Sequence, residues 1–373
     1  KGIARSERAR ARCGSAPACA RARWPGSPWI SSRLFAHGSA NGRHDAHAAR
    51  DLHPHAPMGR TDTWVVILAG GEGRRLASLT RALYGRELPK QFAVLAGSRS
   101  LLQETVERAA MLGELARTIV VVSSPHEALA RTQLAAYPAV RLLVQPFGLD
   151  TGPGLLLPLS YVRARSPDGR VIVLPSDHHL SDALPLSDAI GRADADLDGR
   201  GRVTLVGVEA DRPETEYGWI VPGRRLGGQG RDAVWAVRRF VEKPSEETAR
   251  RLRERGAVWN TFIATGPVAA FWELARLRLP RHAIGFEMWA DSGDRAESAA
   301  RLRSLYAELS PASWSVDVLS RSPVEQLALV SMAGSGWSDW GSPRRVFESM
   351  SGSQDLDRLL ARVTSSERPV PRA

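Results

Sequence analysis

Residues 64–76 read WVVILAGGEGRRL, and this stretch decides how the chain folds. Its continuous apolar run, Trp64–Ala69, is typical of a strand that is buried on both faces of a parallel sheet. The glycines that follow, Gly70, Gly71 and Gly73, carry no Cβ, so backbone N–H groups there can approach an anion closely. The stretch therefore predicts a buried strand and a loop suited to phosphate, with a plain tight turn as the alternative.

Two well-known phosphate loops do not fit this stretch. The dinucleotide fingerprint G-x-G-x-x-G, started at Gly71, would need glycine at position 76, where the chain has Leu76. The P-loop would need Gly-Lys followed by Ser or Thr, and no such triplet follows. The glycine loop must belong to another class of protein.

Strand and helix patterns alternate after the first strand, which predicts an α/β fold with a mostly parallel sheet and helices on both faces. In such sheets, ligands bind beyond the carboxyl ends of the strands. The predicted elements of this half are helix Leu101–Leu112, strand Thr118–Ser123, strand Arg141–Gln145, helix Pro153–Ala164 and strand Val171–Leu174, which runs into Pro175-Ser176-Asp177.

The second half is more mixed and predicts an α+β arrangement. Its predicted strands are Val203–Val208, Gly218–Val221, Ala233–Val241 and Thr261–Ala264. Its predicted helices are Ser245–Arg255, Pro267–Arg278 and Arg295–Leu309. Residues 351–373 are polar and predict a tail with at most one short helix, at Asp355–Val363.

The amino-terminal segment differs from the rest in composition. Residues 1–57 supply +7 of the formal net charge of +11 and hold both cysteines, Cys13 and Cys19. They show no sustained apolar period, which predicts a disordered basic tail. Met58 stands just before the first good strand, so an over-extended translation start is the preferred interpretation, with a functional tail or a transit peptide as alternatives.

Composition also excludes several classes of protein. No stretch approaches the ~18 consecutive apolar residues of a membrane span, and the chain from residue 58 onward has no cysteine for a disulfide framework. A nucleic-acid partner would rest on the tail alone. We therefore expect a cytoplasmic protein that binds neither nucleic acid nor membrane.

Lysine is rare in this chain. Only Lys1, Lys90 and Lys243 occur, against 48 arginines. A lysine that persists in such a background can be one whose compact ammonium does what a planar guanidinium cannot, although two survivors could also be chance.

Four further motifs follow the glycine loop in order. They are Leu88-Pro89-Lys90-Gln91-Phe92, Pro175-Ser176-Asp177-His178, Val241-Glu242-Lys243-Pro244 and Gly336-Trp337-Ser338-Asp339-Trp340-Gly341. The ordered series resembles the sugar-1-phosphate nucleotidylyltransferases, most closely the mannose-1-phosphate guanylyltransferases. The resemblance covers about residues 64–347 and implies a Rossmann-like nucleotidyltransferase domain at 58–350, whose mixed half binds the sugar.

The resemblance implies metal-assisted phosphoryl transfer with Mg²⁺ as cofactor. Asp177 and Asp339 resemble the family's metal carboxylates, and hard oxygen ligands suit that cation. The alternatives are a helix cap for the segment beginning near Ala183, in the case of Asp177, and a turn-forming aspartate, in the case of Asp339. Arg75 resembles the arginine that binds triphosphate, and Lys90 the lysine that neutralises charge during transfer; a solvated surface is the alternative for both.

The resemblance also implies a sugar site. Glu242 resembles the acceptor for sugar hydroxyls and Lys243 the contact to the sugar phosphate, with an exposed ion pair as the alternative. Gly218 in Tyr-Gly-Trp-Ile and Asn260 in Trp-Asn-Thr match further sugar positions, although a strand glycine can simply mark a bulge.

The nucleotide site is implied by the loop glycines Gly70, Gly71 and Gly73 together with residues 145–153, QPFGLDTGP, which resemble the family's E-P-x-x-R-N-T-A-P. Gln145, Gly148 and Thr151 are the candidate nucleotide contacts in this segment. Gln145, Leu149 and Asp150 replace Glu, Arg and Asn, and this leaves the base preference open. Arg74 also stands where the family has Thr.

The sequence thus predicts transfer of a nucleoside monophosphate from an NTP to a hexose 1-phosphate, with GTP and mannose 1-phosphate as the first choice. The alternatives are a uridylyl-, thymidylyl- or cytidylyl-transferase of the same fold, or a non-catalytic regulatory protein that binds sugar nucleotides. Whether the protein forms a homodimer is open.

Overall fold

The computed structural model describes residues 62–194, 201–290 and 295–366. Its strands are β1 (Thr63–Leu68), β2 (Thr118–Ser123), β3 (Arg141–Gln145), β4 (Arg170–Pro175), β5 (Val203–Glu209), β6 (Gly218–Gly227), β7 (Val234–Glu242), β8 (Val258–Pro267) and β9 (Leu327–Ser331). Its α-helices are α1 (Ala77–Tyr84), α2 (Leu101–Leu112), α3 (Glu127–Leu134), α4 (Thr151–Arg165), α5 (Leu184–Asp194), α6 (Glu246–Glu254), α7 (Val268–Arg278), α8 (Pro280–Ala290), α9 (Arg295–Glu308), α10 (Pro343–Ser349) and α11 (Gln354–Ser366).

The strands form one sheet in the order β3-β2-β1-β4-β8-β5-β9-β7-β6. The pairs β3–β2, β2–β1 and β1–β4 are parallel. From β8 onward the sheet is mixed, because β8 runs antiparallel to β4 and β5 whereas β9 runs parallel to β5. Both the parallel first half and the mixed second half are as predicted, and the α/β fold class is confirmed.

Helices pack on both faces of the sheet, and β1 shows why. Val65 and Ile67 belong to the hydrophobic core on one face, which also contains residues of α2 and α5. Trp64 and Val66 belong to the core on the opposite face, with residues of α4 and α7. Because strand side chains alternate between faces, a strand covered on both sides must be apolar throughout, which is the pattern of residues 64–69.

Capping residues set the helix boundaries near the site. The side chain of Ser100 accepts from the backbone N–H of Gln103, and the Gln103 side chain accepts from the backbone N–H of Ser100, so α2 begins where predicted. Helix α4 begins two residues before the predicted start because Asp150 lies at its N-cap and accepts from the backbone N–H of Thr151 at 2.6 Å.

The polar carboxyl-terminal segment contains the helix expected at Asp355–Val363, but this helix packs on the core where a tail was expected. Residues 354–366 form α11, whose Leu359 is 1% exposed within the core. The guanidinium of Arg362 also donates to the carbonyl of Val94 at 2.9 Å. Packing therefore continues past the boundary expected at residue 350.

The predicted basic tail, residues 1–57, lies outside the described residues, as do residues 367–373. None of the helices in the described ranges has both the length and the apolar character needed to cross a bilayer.

Candidate functional site

A cleft of about 360 Å³ lies where the parallel strands end. Residues that follow β1 to β4 line one side: Gly70, Gly71, Ser123, Gln145, Ser176 and Asp177. Residues from the mixed half and the loop before α10 line the other side: Tyr217, Gly218, Glu242, Asn260, Trp337 and Asp339. The sheet topology thus gathers motifs that are spread over 270 residues of sequence.

The glycine loop is fixed by close backbone approaches. A Cβ on Gly70 would lie 2.5 Å from Nε2 of Gln145, and a Cβ on Gly73, whose φ is +61°, would lie 2.4 Å from the backbone nitrogen of Lys90. The Gln91 side-chain amide donates to the carbonyls of Ala69 at 3.0 Å and Gly71 at 2.6 Å. These contacts hold the loop open toward the cleft, a role for Gln91 that sequence reasoning missed.

Lys90 lies behind the cleft wall and is only 3% exposed, so the surface interpretation is wrong. Its Nζ lies 3.0 Å from Oδ2 of Asp177 and donates to the backbone carbonyl of Asp339 at 2.5 Å. One ammonium therefore joins the two segments that carry the candidate metal carboxylates.

Asp177 faces the cleft with 35% of its side chain exposed. Burial opposes its ionisation, but the Lys90 ammonium, with smaller contributions from His178 and Arg75, outweighs this and lowers the pKa of Asp177 below its ordinary value. The helix-cap alternative is wrong, because it is Asp182 whose carboxylate accepts from the backbone N–H of Leu184 at the start of α5. Asp177 is an ionised carboxylate with open space in front of it.

Asp339 is more enclosed, at 6% exposed. Its Oδ1 accepts from the Tyr217 hydroxyl at 2.7 Å, from the backbone N–H of Gly341 at 2.9 Å and from Arg345 Nη1 at 3.1 Å. The bond to Gly341 confirms that Asp339 forms a turn. Burial disfavours the charged form, but these partners outweigh it and the pKa of Asp339 is lowered.

Arg345, in the first turns of α10, was not predicted to take part. Its Nη1 lies 3.1 Å from each oxygen of Asp339, and its Nη2 lies 2.6 Å from Oε2 of Glu214. A Cβ on Gly341 would lie 2.3 Å from Oδ2 of Asp339 and 2.8 Å from Nη1 of Arg345, so glycine there makes room for the ion pair. Arginine can form ion pairs with residues at any separation along the chain. No sequence pattern therefore indicated this contact.

His178 ends the motif Pro175-Ser176-Asp177-His178, and the sequence predicted no role for its side chain. Its Nδ1 accepts from the indole N–H of Trp337 at 3.2 Å, and its Nε2 lies 3.7 Å from Oδ1 of Asp177. Burial lowers the pKa of His178, which favours the neutral ring. The neighbouring His179 stacks on Trp340 at 4.2 Å, and burial lowers its pKa to about 4.

Gly218 and Glu242 pair directly across the β6–β7 hairpin. A Cβ on Gly218 would lie 2.6 Å from Oε2 of Glu242 and 3.2 Å from Cβ of Asn260, so the glycine permits a close approach and marks no bulge. The register shifts of this hairpin begin only beyond Val221. Oε2 of Glu242 is buried and has no hydrogen-bond partner within the described ranges. Burial raises the pKa of Glu242. Its Oε2 can accept a hydrogen bond from a ligand in the cleft.

Of two predicted site residues, Arg75 lines the cleft and Lys243 does not. Arg75 lines it with 62% of its side chain exposed, and its Nη2 lies 3.8 Å from Oδ2 of Asp339. Lys243 is exposed, with φ of 42°, and is not among the residues that line the cleft. The structure therefore does not bring Lys243 to the predicted sugar site.

Gln145, Gly148 and Thr151, the candidate nucleotide contacts, also line the cleft. The buried Tyr306 hydroxyl donates to Oε1 of Gln145 at 3.2 Å, which leaves the amide Nε2 on the side of Gly70. Leu149, at the position of the family's arginine, is 8% exposed within the core. In this arrangement the amide Nε2 of Gln145 lies beside Gly70 and its Oε1 lies beside Tyr306.

Known proteins share much of this sequence. Residues 64–355 match the family model described as nucleotidyl transferase. The alginate biosynthesis protein AlgA of Pseudomonas syringae pv. tomato is 33% identical over 291 residues, 76% of this chain and 57% of that protein. Mannose-1-phosphate guanylyltransferase 2 of Escherichia coli O157:H7 is 30% identical over 76% of this chain and 59% of that protein.

A solved structure is also similar. The Thermus thermophilus protein described as mannose-1-phosphate geranyltransferase superimposes with a TM-score of 0.66 at 31% identity, over 78% of this chain and 79% of that one. The chain spans less than three fifths of the two curated relatives named above. With the family model matching most of its length, the chain belongs to the nucleotidyl transferase family and is similar to members named for mannose 1-phosphate.

Proposed function

We propose that this protein transfers a nucleoside monophosphate from an NTP to a hexose 1-phosphate, with GTP and mannose 1-phosphate as the preferred pair. The observation that carries the proposal is the arrangement of the cleft. One cleft is lined by Gln145, by Asp177, which lies 3.0 Å from Lys90 Nζ, and by Glu242, whose Oε2 has no hydrogen-bond partner within the described ranges. This set of groups suits a base, a row of phosphates and a sugar.

The reaction requires alignment and charge neutralisation more than proton transfer. An ionised oxygen of the sugar phosphate attacks the α-phosphorus, a new P–O bond forms, the bond from the α-phosphorus to the bridging oxygen breaks, and pyrophosphate leaves with that electron pair. No proton has to be removed from the nucleophile. Positioned cations at the phosphates account for catalysis of this kind, and Lys90 and Arg75 are basic groups that lie close to the two carboxylates.

The donor set fits Mg²⁺. No group of three or more metal-binding side chains occurs in the described part of the chain, and Mg²⁺ ordinarily takes one or two carboxylates together with substrate phosphates and water. We propose that Asp177 and Asp339 hold it. When bound, the ion would neutralise phosphate charge; the chain's own residues keep Asp177 ionised and orient it through Lys90.

The donor at Gln145 bears on the choice of base. An N–H group suits the oxo group at C6 of guanine or at C4 of uracil and thymine, and opposes the amino group at the same position of adenine or cytosine. Asp150 remains available as a further acceptor for a guanine N–H, since only its Oδ1 caps α4. The names of the relatives then favour GTP among the oxo bases.

A substitution at Tyr306 tests this account of the base. Tyr306→Phe removes the hydroxyl that donates to Oε1 of Gln145, so Oε1 loses this partner and the amide can turn to accept from an amino group. We expect the ratio of kcat/KM for GTP over ATP to fall by about tenfold, the order of one hydrogen-bond preference. An unchanged ratio in a folded variant would show that Tyr306 does not set the base.

Pyrophosphate release tests the function directly. The protein is assayed with ATP, GTP, CTP and UTP, each with mannose, glucose and galactose 1-phosphate, in the presence of Mg²⁺. The proposal expects release that depends on both substrates and is highest with GTP and mannose 1-phosphate. Asp177→Asn serves as the inactive control, since it removes a carboxylate charge at nearly constant volume. No release with any pair would favour a non-catalytic binding role.

We propose that the protein acts in the cytoplasm, as expected from its sequence. The homodimer remains a prediction.

A further inference from the structure

The carboxylate of Asp339 is largely occupied by the protein itself. Tyr217, the backbone N–H of Gly341 and Arg345 all bond Oδ1, and Arg345 reaches Oδ2 as well. A carboxylate offers about four lone-pair sites. Little of Asp339 is left for a metal ion beyond one position on Oδ2, which faces Arg75 at 3.8 Å.

Arg345 is held in this place from several sides. Glu214 binds its Nη2 at 2.6 Å, and its guanidinium carbon lies 4.7 Å from the centre of the Tyr217 ring. The side chain is only 14% exposed. Glu214 is a second carboxylate on which the guanidinium can stay when it leaves Asp339, so the contact to Asp339 can open without leaving Arg345 as a buried unpaired charge.

We propose that Arg345 occupies Asp339 in the free protein and gives way to the metal ion when nucleotide binds, so that the metal enters together with the nucleotide. The inference rests on the proposed function, because it takes Asp339 as a metal ligand. Arg345 acts through Asp339 and is a positioning residue.

The contacts of Asp339 support this order of events. Lys90, Arg75 and Arg345 lie within 4 Å of the carboxylates of Asp177 and Asp339, and Arg345 also pairs with Glu214, so three cationic groups are matched by three carboxylates. A free divalent cation must compete with the Arg345 guanidinium for Asp339, whereas a nucleoside triphosphate brings phosphate oxygens that also bind the cation. The protein alone therefore binds the metal weakly, and the nucleotide supplies the additional ligands.

The test measures binding of Mn²⁺ alone, without nucleotide, by the loss of the free-ion EPR signal. Arg345→Ala and Arg345→Gln release Asp339, and we expect both to bind Mn²⁺ at least about tenfold more tightly than the wild type, because one competing full charge is removed. The glutamine retains a polar side chain that can bond Glu214, so the test does not depend on the alanine variant folding.

Arg344→Ala is the matched control. Arg344 is the preceding residue of the same helix, its side chain is 85% exposed, and it pairs with Glu348 away from Asp339. Its removal lowers the net charge equally, and Mn²⁺ binding should stay within about twofold of the wild type, as for a screened surface charge. The double variant Arg345→Gln with Asp339→Asn should lose the gain.

The outcomes separate the two proposals. Tighter Mn²⁺ binding by the Arg345 variants, and not by Arg344→Ala, supports the competition at Asp339, even if no pyrophosphate release is found. Variants at Arg345 that bind no more tightly than Arg344→Ala overturn it, even if the enzyme is active.

Discussion

Lys90 is a buried lysine in a chain whose basic residues are almost all arginines. Arginine supplies nearly all the positive charge, yet a lysine stands buried between Asp177 and the carbonyl of Asp339. The other lysine in the described ranges, Lys243, is exposed, so rarity alone did not identify a site residue. Burial and two short contacts distinguish Lys90, and neither is visible in composition.

Substitution at Lys90 separates a fitted ammonium from general positive charge. Lys90→Arg keeps the charge, but the wider guanidinium cannot occupy the same space without moving Asp177 or the Asp339 loop. A shift of ~1 Å can reduce the rate about a hundredfold, so we expect at least that loss in kcat with a smaller change in the KM for nucleotide. Single-turnover rates measure it.

Arg74→Lys is the control for Lys90→Arg, because Arg74 is exposed and pairs with Glu72 at 2.7 Å. Its effect should stay below about threefold, as for an exposed pair. Equal and small losses at both positions would remove the catalytic role proposed for Lys90.

The raised pKa of Glu242 predicts that the KM for hexose 1-phosphate depends on pH. Burial raises its pKa above the ordinary 4.5, so this carboxylate, which we propose accepts a sugar hydroxyl, becomes protonated at a higher pH than an exposed glutamate would. We expect the KM for hexose 1-phosphate to rise as pH falls through that raised pKa. Glu242→Gln should remove this component, and the difference between the two pH profiles excludes titration of the substrate's own phosphate.

Stability gives an independent measurement at Glu242. Because the folded state disfavours the charged form, Glu242→Gln should be the more stable protein at pH 7. The difference should vanish as pH falls below the unfolded value near 4.5, where glutamate is protonated in both states. A variant that is less stable at pH 7 would contradict the assignment of a buried, unpartnered carboxylate.

Elements with a strong local signal were predictable. Strands β2 and β3 and helix α2 have the bounds that were predicted from the sequence. Helix α10 and strand β9 were not predicted, because segments of seven and five residues are too short to show a clear hydrophobic periodicity. The cleft's motifs were found by their order, whereas Arg345 and Tyr306 depend on contacts between distant segments that no local pattern encodes.

Helix α11 offers a test at the scale of an element. Leu359 is 1% exposed and packs in the core, whereas its neighbour Leu360 is 43% exposed. Leu359→Ala should lower the free energy of unfolding by about 2–5 kcal/mol, the usual effect of a cavity in a core. Leu360→Ala should change it by less than about 1 kcal/mol. Equal effects in chemical denaturation would mean that α11 does not pack as described.

The whole molecule depends on one continuous sheet. Strand β8 pairs with β4 of the parallel half and with β5 and β6 of the mixed half. Residues of both halves that line the cleft are thereby attached to the same sheet. Residues 1–57 lie outside the described residues, yet they carry most of the protein's net positive charge.

Removal of residues 1–57 tests whether their positive charge affects the reaction. A protein that begins at Met58 should keep kcat/KM within about twofold, because residues 1–57 show no packing pattern that could contribute to the core. The alternative is that +7 charges attract anionic nucleotide to the cleft. Steering of that kind is screened over about 8 Å at physiological salt and is far stronger at low salt. Removing residues 1–57 would then raise the KM for nucleotide in dilute buffer and leave it unchanged in about 0.15 M salt. We expect no difference at either ionic strength, and a salt-dependent rise in KM would assign the segment a function.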